Sequence, residues 1–323
     1  MKTSTLALVL VTVVVLFCTA TNAEITYLNT WGSQGDANGQ FLIPNGVAVD
    51  VSGNVYVSDA LANNIQKFEH TGTFITKWGI GGSSDGQLNS PFGVTADPNG
   101  YVYVADCYND RIQKFTTSGA FVGKFGSSGD PRDVAFDSLG NAYVVYYSGQ
   151  VVKYNSLGAT LTSWGGEGSG NGQFNGPVSV VVGLDDSVYV ADALNGRIQR
   201  FNGNGEFISA WGTTGGGDGQ FDIPVGIDVN YKGDVYVVDC YNERIQKFDA
   251  NGNFLAKYGQ PGSGDGQFEH PNYIAVSPTG ELYITEEHNY RVQRLFDSDA
   301  VVPEPATLLL LAFGFLPVAR RRK

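Results

Sequence analysis

The sequence predicts an all-β fold: a six-bladed β-propeller of four-stranded antiparallel blades, with the N-terminal strand pairing into the last blade. Three observations predict it. A closing aromatic recurs at Trp31, Trp78, Phe125, Trp164, Trp211 and Tyr258 in steps of 47, 47, 39, 47 and 47 residues, a fixed period that marks a repeat architecture. Each period holds four short runs rich in Val, Ile, Tyr or Phe, bounded by Gly, Pro, Asn or Asp. The ends of the array are incomplete in complementary ways, with one spare strand before the first repeat and only three strands in the last.

The 323 residues include 43 Gly and only 16% charged residues, and no helical periodicity is sustained between Glu24 and Ala300. That composition suits one large, turn-rich domain over residues 24–300. The formal charge is −12; leaving out Lys2, Glu304 and the terminal Arg320, Arg321, Arg322 and Lys323 gives 15 basic against 31 acidic residues, about −16. So acidic a body repels phosphate backbones, so nucleic acid is not expected as a partner.

Residues 1–23 read as a signal peptide. An apolar run from Leu6 to Phe17 precedes Thr21-Asn22-Ala23, with small residues where signal peptidase cuts. A membrane anchor is the alternative reading of that run. Phe17 before Cys18 is too bulky for a lipoprotein processing site.

The run Ile25 to Trp31 matches Thr73 to Trp78 in pattern, so it is the missing fourth strand of the last repeat. That repeat otherwise offers Tyr273 to Val276, Glu281 to Thr285 and Arg291 to Phe296. Pairing the two ends closes the ring and hides the edges that an open stack exposes. An open solenoid is the structural alternative, but it would need polar caps at both ends. Repeat two is the template, with strands expected at Gly93 to Asp97, Tyr101 to Ala105, Arg111 to Phe115 and Ala120 to Phe125. Repeat three has lost the G-D-G-Q-F loop, which explains the single short step.

The block D-x-x-N-x-R-I-Q-K-F occurs as Asp106, Asn109, Arg111, Gln113 and as Asp239, Asn242, Arg244, Gln246. It recurs with small changes at Asp192, Asn195, Arg197, Gln199 and at Glu286, Asn289, Arg291, Gln293. Repetition argues against catalysis, because a catalytic set is asymmetric. The expected role is local, the Asp accepting bonds from its turn and from the Arg that opens the third strand. Tyr146 and Gln150 replace Asp and Arg together in repeat three, whereas repeat one keeps Asp59 and puts Asn64 at the Arg position. With Pro-x-Gly-Val and Gly-Gln-Phe, the block resembles the NHL repeat over about Glu24 to Phe296. The Asp-Gly-Gln-Phe loops lack the alternating carboxylates of a calcium loop and read as turns that plug a Phe between blades. Cys107 and Cys240 fall three repeats apart, on the order of 20 Å, too far for a disulfide.

The tail, residues 301–323, runs Val302-Pro303-Glu304-Pro305, then an apolar stretch from Ala306 to Ala319, then Arg320-Arg321-Arg322-Lys323. As a helix the stretch would span about 21 Å against a hydrocarbon core of about 30 Å, with snorkelling arginines making up part of the gap. The basic cluster should stay cytoplasmic. Pro-Glu-Pro, short apolar run and Arg cluster together resemble the PEP-CTERM sorting signal. The resemblance implies export in a Gram-negative bacterium, transient anchoring in the inner membrane, processing by an exosortase, and delivery to the envelope or extracellular matrix. A plain C-terminal anchor predicts the same topology.

Individuality lies in the loops of one face, where repeats differ around the channel mouth. Asn45, Phe92, Tyr108, Arg132, Tyr241, Asn272, Tyr273 and His288 are the candidate ligand-binding rim. Aromatic faces with Asn between them suit sugars or peptide segments; a merely variable, solvated face is the competing reading. Loop loss in repeat three should expose Arg132. The expected function is a non-enzymatic binding or scaffold protein for a peptide, protein or polysaccharide, its propeller monomeric, with no catalytic residue, metal or cofactor assigned. The alternative is a metal-dependent propeller hydrolase or lyase of lactonase type, which needs His and carboxylate ligands on the axis. Here the only histidines are His70, His270 and His288, and Asp133, Asn45, Asn272 and Glu287 give at most a weak site.

Overall fold

Every repeat folds into a four-stranded meander because its runs are short, alternate in polarity and are joined by turns too brief for a crossover. The computed structural model describes residues 25–126 and 129–301. The signal-peptide reading of residues 1–23 and the sorting and membrane reading of residues 302–323 lie outside the described residues. The described strands form six sheets of four strands each. In blade two these are Pro91–Ala96, Tyr101–Asp106, Arg111–Thr116 and Phe121–Phe125. The first strand starts two residues before the expected Gly93: Pro91 pairs with Asp106, and a register shift follows before Val94. Proline fits that place because the first residue of a strand need not donate to the ladder.

Burial falls from the second strand outwards. Val188–Asp192 is buried throughout, whereas Phe207–Trp211 alternates half-buried and exposed. Six apolar clusters hold the molecule together, one at each blade boundary. At five of them a loop residue is the plug: Phe41, Leu88, Phe174, Phe221 and Phe268 are wholly buried. Burying a side chain of this size stabilises by roughly 1.5–3 kcal/mol.

The closing aromatics explain a second feature of the repeat. Trp31 lies under Gly72 of the next blade, where a Cβ would meet its ring at 2.6 Å and the backbone has φ of +95°. The same pairing joins Trp78 to Gly119, Trp164 to Gly205 and Trp211 to Gly252, so the aromatic and the hairpin glycine recur in phase.

Ring closure is as the end arithmetic required. Ile25–Trp31 pairs antiparallel with Arg291–Val301, from Ile25 against Asp297 to Trp31 against Val292. That partner strand runs five residues past the expected Phe296, and Val301 pairs with Thr279.

Candidate functional site

The repeated polar block builds the face on which the site sits. Asp106 is fully buried and accepts bonds from the Asn89 N–H (2.7 Å), Asn109 (2.9 Å), Arg111 Nε (2.7 Å) and Gln113 (2.8 Å). Arg111 in turn donates to the carbonyls of Ser83, Ser84 and Gln87, each at 2.9 Å. The block is thus a clamp on the loop that delivers the interblade plug. Blade three has no such loop, and there a buried Asp would lose its partners. Tyr146 stands in its place, buried in the cluster between blades two and three, its hydroxyl 2.7 Å from that of Tyr154. In blade one the Asn64 position is covered differently, since Asp59 takes the N–H groups of Leu42 (2.8 Å) and Ile43 (3.0 Å).

First strands begin, and second strands turn into third strands, on one face, called upper here. A cup of about 310 Å³ opens there, lined by Asn45, Phe92, Tyr108, Arg132, Asn272 and Tyr273, together with Ser90, Val178, Val225 and Glu287. Six of the eight rim candidates therefore share one cavity. Tyr241 and His288 do not line it. They belong to an aromatic cluster beside it, where Tyr241 meets His270 edge-on at 4.9 Å and His270 stacks on His288 at 4.1 Å.

Two candidates differ from expectation. Arg132 is not exposed: its side chain is only 14% accessible, paired with Asp130 at 2.7 Å. Its guanidinium lies between the rings of Phe92 (4.2 Å) and Tyr147 (4.5 Å). Shortening the loop let Tyr147 and Asp130 fold over the arginine, and a weakly hydrated planar cation between aromatic faces is well accommodated. Tyr273 is not on the rim but is the floor of the cup. It is buried, and its hydroxyl donates across the axis to the carbonyls of Arg132 (3.2 Å) and Val178 (3.1 Å). Burial raises that phenol well above its ordinary pKa, so it stays a donor.

Beneath Tyr273 lies a second cavity of about 260 Å³, lined by inner-strand residues including Asp133, Ser179 and Asp228. Asp133 accepts from Val134 N–H (2.9 Å), Ser179 hydroxyl (2.7 Å) and Val180 N–H (3.2 Å), tying blade three to blade four. Asp228 accepts from Val229 (2.7 Å) and Val276 (2.6 Å), tying blade five to blade six. Burial pushes both carboxyls up to about 7, against the pull of those hydrogen bonds. Asp228 is half-buried and lines the cavity, and loss of bulk water around its carboxyl deep in the ring is the largest cause of its shift.

Sequence reasoning missed Asp228 and the His270 contact. The signal for Asp228 was present: its counterparts in the other blades are Ala48, Thr95, Ala135, Val181 and Ala275. Among the described residues no three His, Cys, Asp or Glu side chains are placed to hold a metal ion. Cys107 and Cys240 are free and buried. Among the described residues no helix is long and apolar enough to cross a membrane.

Comparison with protein families finds the NHL repeat at residues 88–115 and 221–248, and the PEP-CTERM protein-sorting motif at residues 301–323. Comparison with curated proteins finds no match. Among solved structures, a Bacteroides thetaiotaomicron protein of unknown function superposes with a TM-score of 0.69 at 16% identity, over 85% of this chain and 76% of that one. A streptogramin B lyase superposes with a TM-score of 0.62 at 12% identity, over 86% and 98%. The virginiamycin B lyase of Staphylococcus aureus does so with a TM-score of 0.57 at 15% identity, over 85% and 99%. At these identities the likeness is one of fold. The sorting motif implies processing by an exosortase and points to export and envelope association in a bacterium. Clamped loops, closed ring and C-terminal motif together make the chain an NHL-repeat six-bladed β-propeller protein with a PEP-CTERM sorting signal.

Proposed function

We propose that this exported propeller is a non-enzymatic binding or scaffold protein of the cell surface or matrix, freed of residues 1–23 by signal peptidase, and that its upper face takes a segment of peptide, protein or polysaccharide. One observation carries the reading. The turn between second and third strands places an exposed apolar tip in five successive blades: Leu61, Tyr108, Leu194 and Tyr241 at the same position, exposed by 58, 65, 50 and 55%, and Tyr147 one residue earlier in the shortened turn of blade three, exposed by 45%. Single exposed apolar residues are ordinary, but a ring of them around a cup is a contact surface. Inside that ring the cup offers amides, Arg132 and Glu287 for orienting hydrogen bonds.

The shape shared with two lyases keeps the enzymatic alternative in view, as a likeness of fold alone. The test is a glycan and peptide array probed with the propeller and with its Tyr108→Ser/Tyr241→Ser variant. Specific binding that the variant loses by tenfold or more supports the reading. Turnover of a bound ester, lactone or glycan that depends on Arg132 or Glu287 sinks it.

A further inference from the structure

Strand directions fix where the chain enters and leaves. First strands run from the cup down to the lower cavity, whose lining includes their last residues Val49, Ala96, Phe136, Val182 and Val276. In blade six the strand Arg291–Val301 runs the same way, and Ile25–Trp31 starts beside its end, Ile25 against Asp297 and Val301 against Thr279. Ile25 and Val301, the first and last described residues, therefore both lie on the lower face, opposite the cup. Val301 is followed directly by Val302-Pro303-Glu304-Pro305 and the apolar stretch to Ala319.

The same face carries prominent apolar tips on the far side of the ring. Leu157 is 91% exposed, Leu139 81% and Leu184 67%, all at hairpin ends of blades three and four. Leu157 and Leu139 are the two most exposed large apolar residues among those described. The hairpins holding Leu139 and Leu184 are tied together, since Ser138 donates twice to Asp186, at 2.9 and 2.8 Å. Nearby cations are paired, Arg200 with Asp185 at 2.7 Å and Lys153 with Asp137 at 3.1 Å, while the Asp186 carboxylate is held by Ser138. No basic excess is left there to attract an anionic surface, so what this edge can enter is an uncharged interface.

We propose that, while the chain is held by its C-terminal segment, the lower face lies against a lipid surface, with Leu139, Leu157 and Leu184 dipping into the headgroup layer and the cup turned away. Tail on one side and leucine tips on the other give two contacts across the ring, which fixes its tilt. The idea rests on the reading of the tail as membrane-held and is independent of what the cup binds.

The full chain, with Cys18→Ser, Cys107→Ala and Cys240→Ala, is reconstituted in phosphatidylcholine vesicles containing nitroxide-labelled lipid. A fluorophore is placed by Ser156→Cys on the lower face or, separately, by Leu61→Cys on the upper. Quenching at position 156 at least threefold above that at 61 is expected. Leu139→Ser/Leu157→Ser/Leu184→Ser should bring it down to the level at 61, with the chain still floating with the vesicles; Leu157→Ser alone should lower it partly. Equal quenching at the two positions, no effect of the leucine changes, quenching only with phosphatidylglycerol, a chain that does not float, or leucine-dependent dimers in place of lipid contact would each overturn the proposal.

Discussion

Replacing Asp239 by Ala should destabilise the propeller by about 3 kcal/mol, the lower end of the range for breaking a buried pair. Asp239 is wholly buried and accepts from the Asp222 N–H (2.7 Å), Asn242 (2.9 Å), Arg244 Nε (2.8 Å) and Gln246 (3.1 Å). Removing it strands a guanidinium that is only 8% accessible. The loss stays at the lower end because Arg244 keeps the carbonyls of Gly217 (2.7 Å) and Gln220 (3.0 Å), with Asp218 at 3.9 Å. Burial raises the Asp239 carboxyl above the ordinary carboxylate range in spite of Asp222 N–H and Arg244, so the pair itself adds little net stability. What costs energy is halving it.

For a domain of roughly 280 residues the unfolding entropy is about 0.6 kcal/mol per degree, so the melting temperature should fall by roughly 5 °C. Scanning calorimetry on wild type, Asp239→Ala, Arg244→Met and the double variant closes a cycle. Coupling above about 1 kcal/mol is expected, since the two side chains touch. A fall under 1 °C for Asp239→Ala, or simple additivity in the double variant, would refute the clamp as the device that holds the plug loop.

Three further outcomes follow from the structure. Asp133 and Asp228 titrate near 7 when folded and near 3.8 when unfolded, so the folded chain holds extra protons between these values and stability must fall as pH rises from about 4 to about 7. For Asp133 the full difference is about 4 kcal/mol at most, and Asp133→Asn should flatten that part of a urea-denaturation pH profile; carboxyls held low, such as Asp137 and Asp297, act only below about pH 4 with the opposite sign. Tyr273→Phe removes one hydroxyl bonded to two carbonyls and should cost about 1 kcal/mol in the same assay, while Tyr273→Ala should join the upper and lower cavities and speed amide exchange at Val178 and Val180. A chain lacking residues 25–31 should expose the edge of Arg291–Val301 and self-associate by light scattering, and the peptide ITYLNTW added in trans should restore the monomer.

Most of the fold was legible because each repeat states its own local rules. Turn glycines, strand alternation and the closing aromatic act within one or two blades, so they recur in register and can be counted. Blade number, blade order and closure by Ile25–Trp31 needed nothing further. The site was legible only as a face. Sequence variation could mark Asn45, Phe92, Tyr108, Arg132 and Asn272 as lying round a mouth, because position in the repeat fixes position on the ring. It could not tell which way Tyr273 points, since its hydroxyl meets blades three and four, more than 90 residues away in the chain. Nor could it show Arg132 covered, because the cover comes from what Tyr147 and Asp130 do once a loop is gone.

The two classes of buried polar residue in this ring carry different consequences for evolvability. Clamp residues such as Asp106 and Arg111 are tied to a loop of their own repeat, so they are kept or lost together with it, as blade three shows with Tyr146. Axial residues such as Asp133, Asp228 and Tyr273 bond to neighbouring or opposite blades, and each occupies a place where other repeats carry a different residue, mostly one without a charge. A repeat can therefore be duplicated without disturbing its clamp, but its axial position must be adjusted afterwards, one blade at a time. That separation is why a binding face can diverge on this scaffold while the blades stay nearly alike: the residues that make the cup asymmetric are not those that hold the blades shut.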